Sequence, residues 1–193
     1  MNYLVGSFPE AVRIDGVVYQ VNADFRIGIK IMTAFEDPQL AGYEKQLVMC
    51  GLLFKKQPPN FDKACEAARK FLDCGNRTHA EQRTPGRVYS FTKDEQYIYS
   101  AILQTHGVDL QTTGYLHWWK FCAMFFDLQD GCRFQSMVSL RRRRLDGHLS
   151  KEERRIWYEM EDILSLSDAG PDPERDAAIS EFNRLMGGRN DER

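Results

Sequence analysis

Apolar residues, most of them β-branched, recur in two short runs near the N-terminus of the chain. The runs, at residues 12–14 and 17–21, flank the dipeptide Asp15-Gly16. Aspartate and glycine tolerate the positive φ angles that a two-residue hairpin turn requires. The pattern therefore predicts a β-hairpin at about residues 12–21.

After the hairpin, apolar residues recur at three- and four-residue spacing, which is the period of an amphipathic helix. These apolar stripes fall at about residues 25–37, 43–54, 61–72, 98–107, 115–128, 134–145 and 156–164. The stretch 115–128 is apolar on most of its circumference, as is typical of a central helix surrounded by others. The sequence thus predicts a mostly α fold: a single helical domain with a small N-terminal β-hairpin and a C-terminal tail.

Residues that cap helices mark several of the predicted boundaries. Asn60 can accept a hydrogen bond from a free amide group at the start of the third helix. Thr92 with Glu95, and Ser150 with Glu153, fit the capping box, in which each side chain bonds the other residue's free amide. These pairs predict the starts of the fourth and the last helix.

Two polar stretches interrupt the helical pattern. Residues 76–87 have no apolar period and contain Pro85-Gly86, so we predict an exposed, mobile loop there. Residues 168–193 are polar and broken by prolines near their start, although a few apolar residues keep helical spacing between 179 and 186. We therefore divide the chain into a helical domain at 1–167 and a polar tail at 168–193, whose short helix orders on a partner.

The composition excludes several classes of protein. The 193 residues are 42% hydrophobic and 28% charged, with a formal net charge of -2, which is the balance of a water-soluble globular protein. This charge gives no global attraction to nucleic acid or anionic lipid. No signal peptide is expected, because the N-terminus has no basic region followed by an apolar stretch. No membrane helix is expected, because the richest apolar segment is too short and too polar. The five cysteines lack the spacing of zinc or redox motifs, so we expect buried free thiols in a reducing cytoplasm.

Catalytic motifs are not recognisable in the chain. It has no motif of a nucleophile, of a phosphate-binding loop or of a metal site, so we expect no enzyme activity, no cofactor and no metal. His117 lies in the most apolar stretch, where a histidine is most often a hydrogen-bonded core residue. The acidic pairs Glu36-Asp37 and Glu161-Asp162 lie in polar contexts, and we interpret them as solvated helix faces.

The densest charge lies in a run of four arginines near the predicted end of a helix. The candidate partner-binding residues are Arg141, Arg142, Arg143, Arg144, Arg154 and Arg155. Such a concentration could neutralise several phosphates, which keeps a nucleic-acid-binding or regulatory role open as an alternative. Against it, the helix dipole favours positive charge at this end of a helix, and Glu152 and Glu153 can neutralise the arginines. We therefore favour arginines that are solvated or that face a protein partner.

Three motifs in the middle of the chain have a specific order and spacing. They are Asp94-x-x-x-Ile98-Tyr99, His106-Gly107-Val108-Asp109-Leu110 and Leu116-His117-Trp118-Trp119-Lys120-Phe121. Together with the opening around Ile14-Asp15-Gly16, they resemble the bacteriophage "gene product fifteen" family over about residues 5–145. His106 departs from that family's pattern, which has a tyrosine at this position. We interpret the motif residues as structural: Asp94, Tyr99, Asp109, His117, Trp118, Trp119 and Phe121.

The resemblance implies a protein of long-tailed phages or prophages, similar in genomic setting to the tail assembly chaperones that act with the tape-measure protein. It implies a chaperone-like protein in the cytoplasm of the bacterial host, with the tape-measure protein and tail-tube or other tail assembly proteins as partners. Homo-oligomerisation stays open. A tape-measure protein is a long helical chain, and its side chains at i, i+3, i+4 and i+7 suit a helical groove. A structural virion or connector component is the remaining alternative.

Overall fold

The computed structural model describes residues 4–75 and 86–166 of the chain. Within these ranges, two paired strands precede eight helices, which confirms the mostly α fold with an N-terminal hairpin. The elements are β1 (Ala11–Ile14), β2 (Val17–Gln20), α1 (Phe25–Glu36), α2 (Gly42–Leu53), α3 (Phe61–Leu72), α4 (Glu95–His106), α5 (Trp118–Phe126), α6 (Arg133–Leu145), α7 (Lys151–Glu159) and α8 (Glu161–Leu164). None of these helices is both long and apolar enough to cross a membrane.

Two predictions fall largely or wholly outside the described residues. They are the loop at 76–87, of which residues 76–85 are not described, and the tail at 168–193. The division of the chain into a helical domain and a tail at residue 167 therefore stays a prediction.

The predicted hairpin is present. β1 and β2 pair in antiparallel register, with Ile14 opposite Val17 next to the turn. Asp15 and Gly16 have φ angles of 48° and 82°. Both angles are positive, which a type I′ turn requires of its two central residues. Ile14 is buried and belongs to the main core, so the hairpin is fixed to the helices on one side.

The first three helices begin and end within one residue of their predicted positions. Asn60 caps α3 as expected, because its side chain accepts a hydrogen bond from the Lys63 N–H at 3.0 Å. Asp24 caps α1 by accepting from the Arg26 N–H at 2.9 Å. α1 packs on α2 and α5, and α2 packs on α3.

α5 is the central helix, but it begins three residues later than predicted. Nδ1 of His117 accepts a hydrogen bond from the Trp119 N–H at 3.0 Å and so caps the helix. The Trp118 N–H donates to the carbonyl of Ala23 at 2.7 Å, which joins the start of α5 to the start of α1. The residues before α5 therefore pair with another segment, and the prediction of a helix from residue 115 was wrong at its start.

Of the two predicted capping boxes, the second is present and the first is not. The Glu153 N–H donates to Ser150 Oγ at 3.1 Å, and the Ser150 N–H donates to Glu153 Oε2 at 2.9 Å. α4 begins instead after Asp94. The main-chain N–H of Thr92 donates to the carboxylate of Glu36, so Thr92 belongs to a contact between distant segments.

Buried apolar side chains form two clusters in the described residues. The main core contains buried residues from the hairpin and from α1 to α6. The second cluster is small and joins α7 and α8 to α4 and α6. Its buried members are Met137, Leu140, Trp157 and Leu164, with Tyr97, Leu149 and Met160 partly buried around them. The helix predicted at 156–164 is thus two short helices, attached to the rest of the protein by a cluster of their own.

Gly28 lies in α1 where this helix crosses α5. A Cβ atom at Gly28 would lie 2.1 Å from Cε3 of Trp118, far inside contact distance. We expect Gly28→Ala to lower the free energy of unfolding by about 1–3 kcal/mol or more, because the packed indole cannot move without strain. Urea unfolding followed by circular dichroism measures this change.

Gly51 in α2 is the matched control, because it is exposed and a Cβ atom there would have no heavy atom within 4 Å. Gly51→Ala should raise the free energy of unfolding by up to about 1 kcal/mol, the difference in helix propensity. Equal effects of the two substitutions would contradict the close approach of α1 and α5.

Candidate partner-binding site

Arg141, the first of the four consecutive arginines, is buried in the protein, with 2% of its surface exposed. Its guanidinium forms a two-pronged ion pair with Asp94, at 2.6 Å from Nη1 to Oδ2 and 2.9 Å from Nη2 to Oδ1. The other three N–H groups donate to main-chain carbonyls: Nε to Leu164 at 2.7 Å, Nη2 to Ile163 at 3.0 Å and Nη1 to Val88 at 3.2 Å. All five N–H donors of the side chain are therefore satisfied.

With the arm in place, Arg141 is neither solvated nor facing a partner, so the expectation of an exposed arginine at this position was wrong. A helix turns by about 100° per residue, so four consecutive residues cannot all face solvent on a helix that packs on one side. The residue that faces inward here is Arg141. A buried guanidinium is tolerated because a carboxylate and carbonyl oxygens replace the water that it loses.

Glu36 and Asp94 together hold the segment that leads into α4. Glu36 accepts hydrogen bonds from Ser90 Oγ at 2.5 Å and from the Phe91 N–H at 2.8 Å, and it pairs with Arg87 at 3.8 Å. Asp94 accepts from the Ser90 N–H at 2.9 Å. The side chain of Glu36 is 4% exposed, so the interpretation of this residue as part of a solvated helix face was wrong.

Three cations bind the four consecutive main-chain carbonyls of residues 163–166. Arg141 binds the first two, as described above. Nζ of Lys93 donates to the third and Nη2 of Arg87 donates to the fourth, each at 3.5 Å. The C-terminal end of a helix leaves carbonyls without an intrahelical partner and carries partial negative charge, so cations stabilise it. These contacts join the end of α8 to α6 and to the segment before α4.

Two further arginines of the run also contact the C-terminal segment. Nη2 of Arg143 forms an ion pair with Glu153 at 2.7 Å. The guanidinium of Arg144 lies over the ring of Trp157, 4.4 Å from its centroid, in a cation–π contact. We call residues 151–166, which contain α7 and α8, the C-terminal arm. Three of the four consecutive arginines thus bind this arm.

The remaining candidate arginines lie on the surface. Arg155 pairs with Glu159 at 2.9 Å on the exposed face of α7. Arg142 and Arg154 are exposed, and neither forms an ion pair with another described residue. The structure therefore removes only Arg141 from the exposed set. A role in binding a partner in trans stays a prediction for the other five: Arg142, Arg143, Arg144, Arg154 and Arg155.

Tyr99 and Asp109 join α4 to the segment that follows it. The Tyr99 hydroxyl donates to Asp109 Oδ1 at 3.0 Å, and the Gln111 N–H donates to the same oxygen at 2.9 Å. The hydrogen bond from the Gln111 N–H, and after it the one from Tyr99, lowers the pKa of Asp109 below its ordinary value. The bond to Asp109 in turn raises the pKa of Tyr99.

The aromatic motif residues hold α5 against α3 and the N-terminal segment. Nε2 of His117 donates to the carbonyl of Pro9 at 3.0 Å, because Nδ1 is the acceptor in the cap of α5. The indole N–H of Trp118 donates to the carbonyl of Leu72 at 2.9 Å, and that of Trp119 donates to Phe71 at 2.7 Å. Phe121 is fully buried and stacks on Phe25 and Trp118. All seven motif residues therefore contact other parts of this chain.

The cysteines are buried and form no disulfide. The Sγ atoms of Cys50 and Cys65 are 3.6 Å apart. Burial, followed by the hydrogen bond with Cys65, raises the pKa of Cys50 to about 12. Burial also raises the pKa of Cys122. Because the thiolate is the reactive form, these thiols are poor nucleophiles and poor metal ligands.

Among the described residues, no group of three or more His, Cys, Asp or Glu side chains could hold a metal ion. An open, polar cavity of about 360 Å³ lies beside α6. Its lining residues are Asp130, Gly131, Gln135, Ser136, Ser139 and Arg143.

Large apolar side chains are exposed elsewhere, among them Tyr43 and Leu47 on α2 and Tyr158 on α7.

Sequence reasoning missed the residues that attach the C-terminal arm. Arg87, Lys93 and Leu140 were not singled out, and Met137 was recognised only as part of a helix stripe. Glu36, which holds the segment before α4, was assigned to solvent. One signal was available: four consecutive charges on a helix with apolar residues at 134, 137 and 138 require at least one inward-facing arginine.

Removal of Arg141 tests its place in the interior. We expect Arg141→Ala to lower the free energy of unfolding by about 3–5 kcal/mol, because it leaves the carboxylate of Asp94 buried without its partner. Arg142→Ala is the matched control, since the neighbouring side chain is exposed and should change stability by no more than about 0.5 kcal/mol. Chemical unfolding of both variants measures the difference, and similar small effects would contradict the buried ion pair.

Comparisons with known proteins give one match. The family model of the bacteriophage Gp15 protein matches residues 4–166. No curated protein and no solved structure matches the chain. The matched range includes the three sequence motifs, the ion pair of Asp94 with Arg141 and the C-terminal arm. Because the match covers most of the chain, this protein belongs to the bacteriophage Gp15 family.

Proposed function

We propose that this phage protein acts in tail assembly as a chaperone-like binding protein in the cytoplasm of the bacterial host. Its partners are the tape-measure protein, the tail-tube protein or both. It binds them during tail morphogenesis, before the tube encloses the tape-measure chain.

One observation carries this proposal. The polar groups of the sequence motifs bind atoms of the same chain: Asp94 binds Arg141, Tyr99 binds Asp109, and His117 caps α5. Side chains that served a reaction would need to reach a substrate in an open site. Motif residues that instead hold helices in place support a protein whose function lies in the surface that those helices present.

Exposed apolar side chains provide such a surface. Tyr43 and Leu47 lie one helical turn apart on α2, and 63% and 45% of their surfaces are exposed. Large apolar groups exposed next to each other are common at sites that bind proteins. A helical client such as a tape-measure segment offers apolar side chains at the same spacing.

The nucleic-acid-binding alternative loses support from the positions of the arginines. Arg141 is buried, and Arg143 and Arg155 are paired with glutamates. Fewer free cations means fewer phosphates neutralised and weaker binding. No observation on the described residues specifically favours the third alternative, a structural virion component.

Co-expression of the tagged protein with the neighbouring tape-measure and tail-tube proteins tests the proposal. We expect pull-down to retain the tape-measure protein in soluble form, and we expect finished virions to lack the tagged protein, since a chaperone leaves before the particle is complete. Composition of purified virions is measured by mass spectrometry.

Two other outcomes of the same experiment would contradict the proposal. Nucleic acid that co-purifies in place of any tail protein, and that is lost in the Arg142→Glu/Arg154→Glu variant, would favour the nucleic-acid alternative. Stoichiometric presence in finished virions would favour the structural component.

A further inference from the structure

The C-terminal arm lies on a groove between α4 and α6. The groove contributes Tyr97, Met137 and Leu140, and the arm contributes Trp157 and Leu164. Trp157 and Leu164 are the buried residues of the arm, and its other side chains are exposed or half-buried. One tryptophan and one leucine therefore make most of the apolar contact between the arm and the rest of the protein.

The main polar anchor of the arm is the pair of hydrogen bonds from Arg141 to the carbonyls of Ile163 and Leu164. Its other contacts are weaker. The ion pair of Arg143 with Glu153 is 43% and 25% exposed, and such pairs contribute little because water competes for both charges. The indole Nε1–H of Trp157 is buried without an acceptor among the described residues, which disfavours the docked state. The buried residues of the cluster under the arm are distinct from those of the main core, although the partly buried Tyr97 contacts both. Release of the arm would therefore uncover the small cluster and not the buried residues of the main core.

The groove has a polar end as well as an apolar floor. When the arm leaves, Arg141 keeps its ion pair with Asp94 but loses the carbonyls of Ile163 and Leu164. Two N–H groups of a buried guanidinium then face the vacated groove. Such donors require carbonyl or carboxylate oxygens, because a buried donor without an acceptor is unfavourable.

We propose that the arm is a releasable intramolecular occupant of this groove, and that the vacated groove binds an amphipathic helix of a partner protein. The arm shows which chemistry fits: apolar side chains at the spacing of Trp157, Met160 and Leu164, followed by main-chain carbonyls or a carboxylate for Arg141. That the partner is a tail protein rests on the proposed function. The release of the arm does not.

Hydrogen–deuterium exchange of the unmodified full chain tests the release. We expect the amides of α7 and α8 to exchange through a local opening, at least about tenfold faster than the buried amides of α4 and α6. Equal protection of the arm and of these two helices would mean that the arm opens only when the whole protein unfolds, and would overturn the proposal.

A binding experiment tests the groove. The probe is a fluorescently labelled, C-terminally amidated peptide of residues 149–166, which keeps the capping box of Ser150 with Glu153. Trp157→Ala in the full chain weakens the docked arm, so fluorescence anisotropy should show about tenfold or tighter binding of the peptide than the unmodified protein shows. Tyr158→Ala is the matched control, because Tyr158 is 67% exposed and should leave peptide binding as in the unmodified protein.

A third variant locates the binding. Leu140→Asp, added to Trp157→Ala, should abolish peptide binding, with circular dichroism to show that the helices are retained. Absence of peptide binding to folded Trp157→Ala protein would overturn the proposal, and so would binding that Leu140→Asp does not reduce in a folded protein.

The same variants separate this proposal from the proposed function. Peptide binding by the Trp157→Ala protein, with no tail protein retained in co-expression, would sustain the releasable arm and contradict the tail-assembly role. If tail proteins are retained, we expect the Trp157→Ala protein to retain more of them than the unmodified protein does. We also expect the peptide to compete with them for the groove. Retention that neither the variant nor the peptide changes would place the partner elsewhere and contradict the role of the groove.

Discussion

A buried arginine must find an acceptor for each of its five N–H groups, and in this protein that requirement brings three segments together. Arg141 on α6 pairs with Asp94 before α4, and it also binds the carbonyls of Val88 and of residues 163–164. None of these groups is close to Arg141 in sequence. The position of the C-terminal arm, the entry into α4 and the environment of the small second cluster all depend on this one side chain.

The ion pair changes how the four consecutive arginines are interpreted. In the sequence, four consecutive arginines suggest a cationic surface for an external partner. In the structure, three of them bind the arm of the same chain: one through carbonyls, one through a glutamate and one through an indole ring. A surface that holds a short helix in cis has the chemistry to hold one in trans, which connects the fold to the binding function that we propose.

Local signals explain which parts of the fold could be predicted. The Asp15-Gly16 turn needs two residues that accept positive φ, and Asn60 and Ser150 bond amide groups three residues away. These relations lie within a few residues, so the sequence displays them. Polar contacts between distant segments leave no such trace: the ion pair of Arg141 with Asp94 joins residues 47 apart, and the hydrogen bond from Ser90 to Glu36 joins residues 54 apart. The candidate site depends on the second kind of contact, and its groove could not be predicted for that reason.

The central claim is that Asp94 and Arg141 act as one unit in the interior, and a double-mutant cycle with Asp94→Leu and Arg141→Met tests it most directly. Chemical unfolding of the two single variants and of the double variant gives the coupling energy between the two side chains. We predict a coupling energy of about 3 kcal/mol. The double variant should lose less free energy of unfolding than the two single variants lose together, because each single substitution leaves a buried charge unpaired. Additive effects would contradict the account.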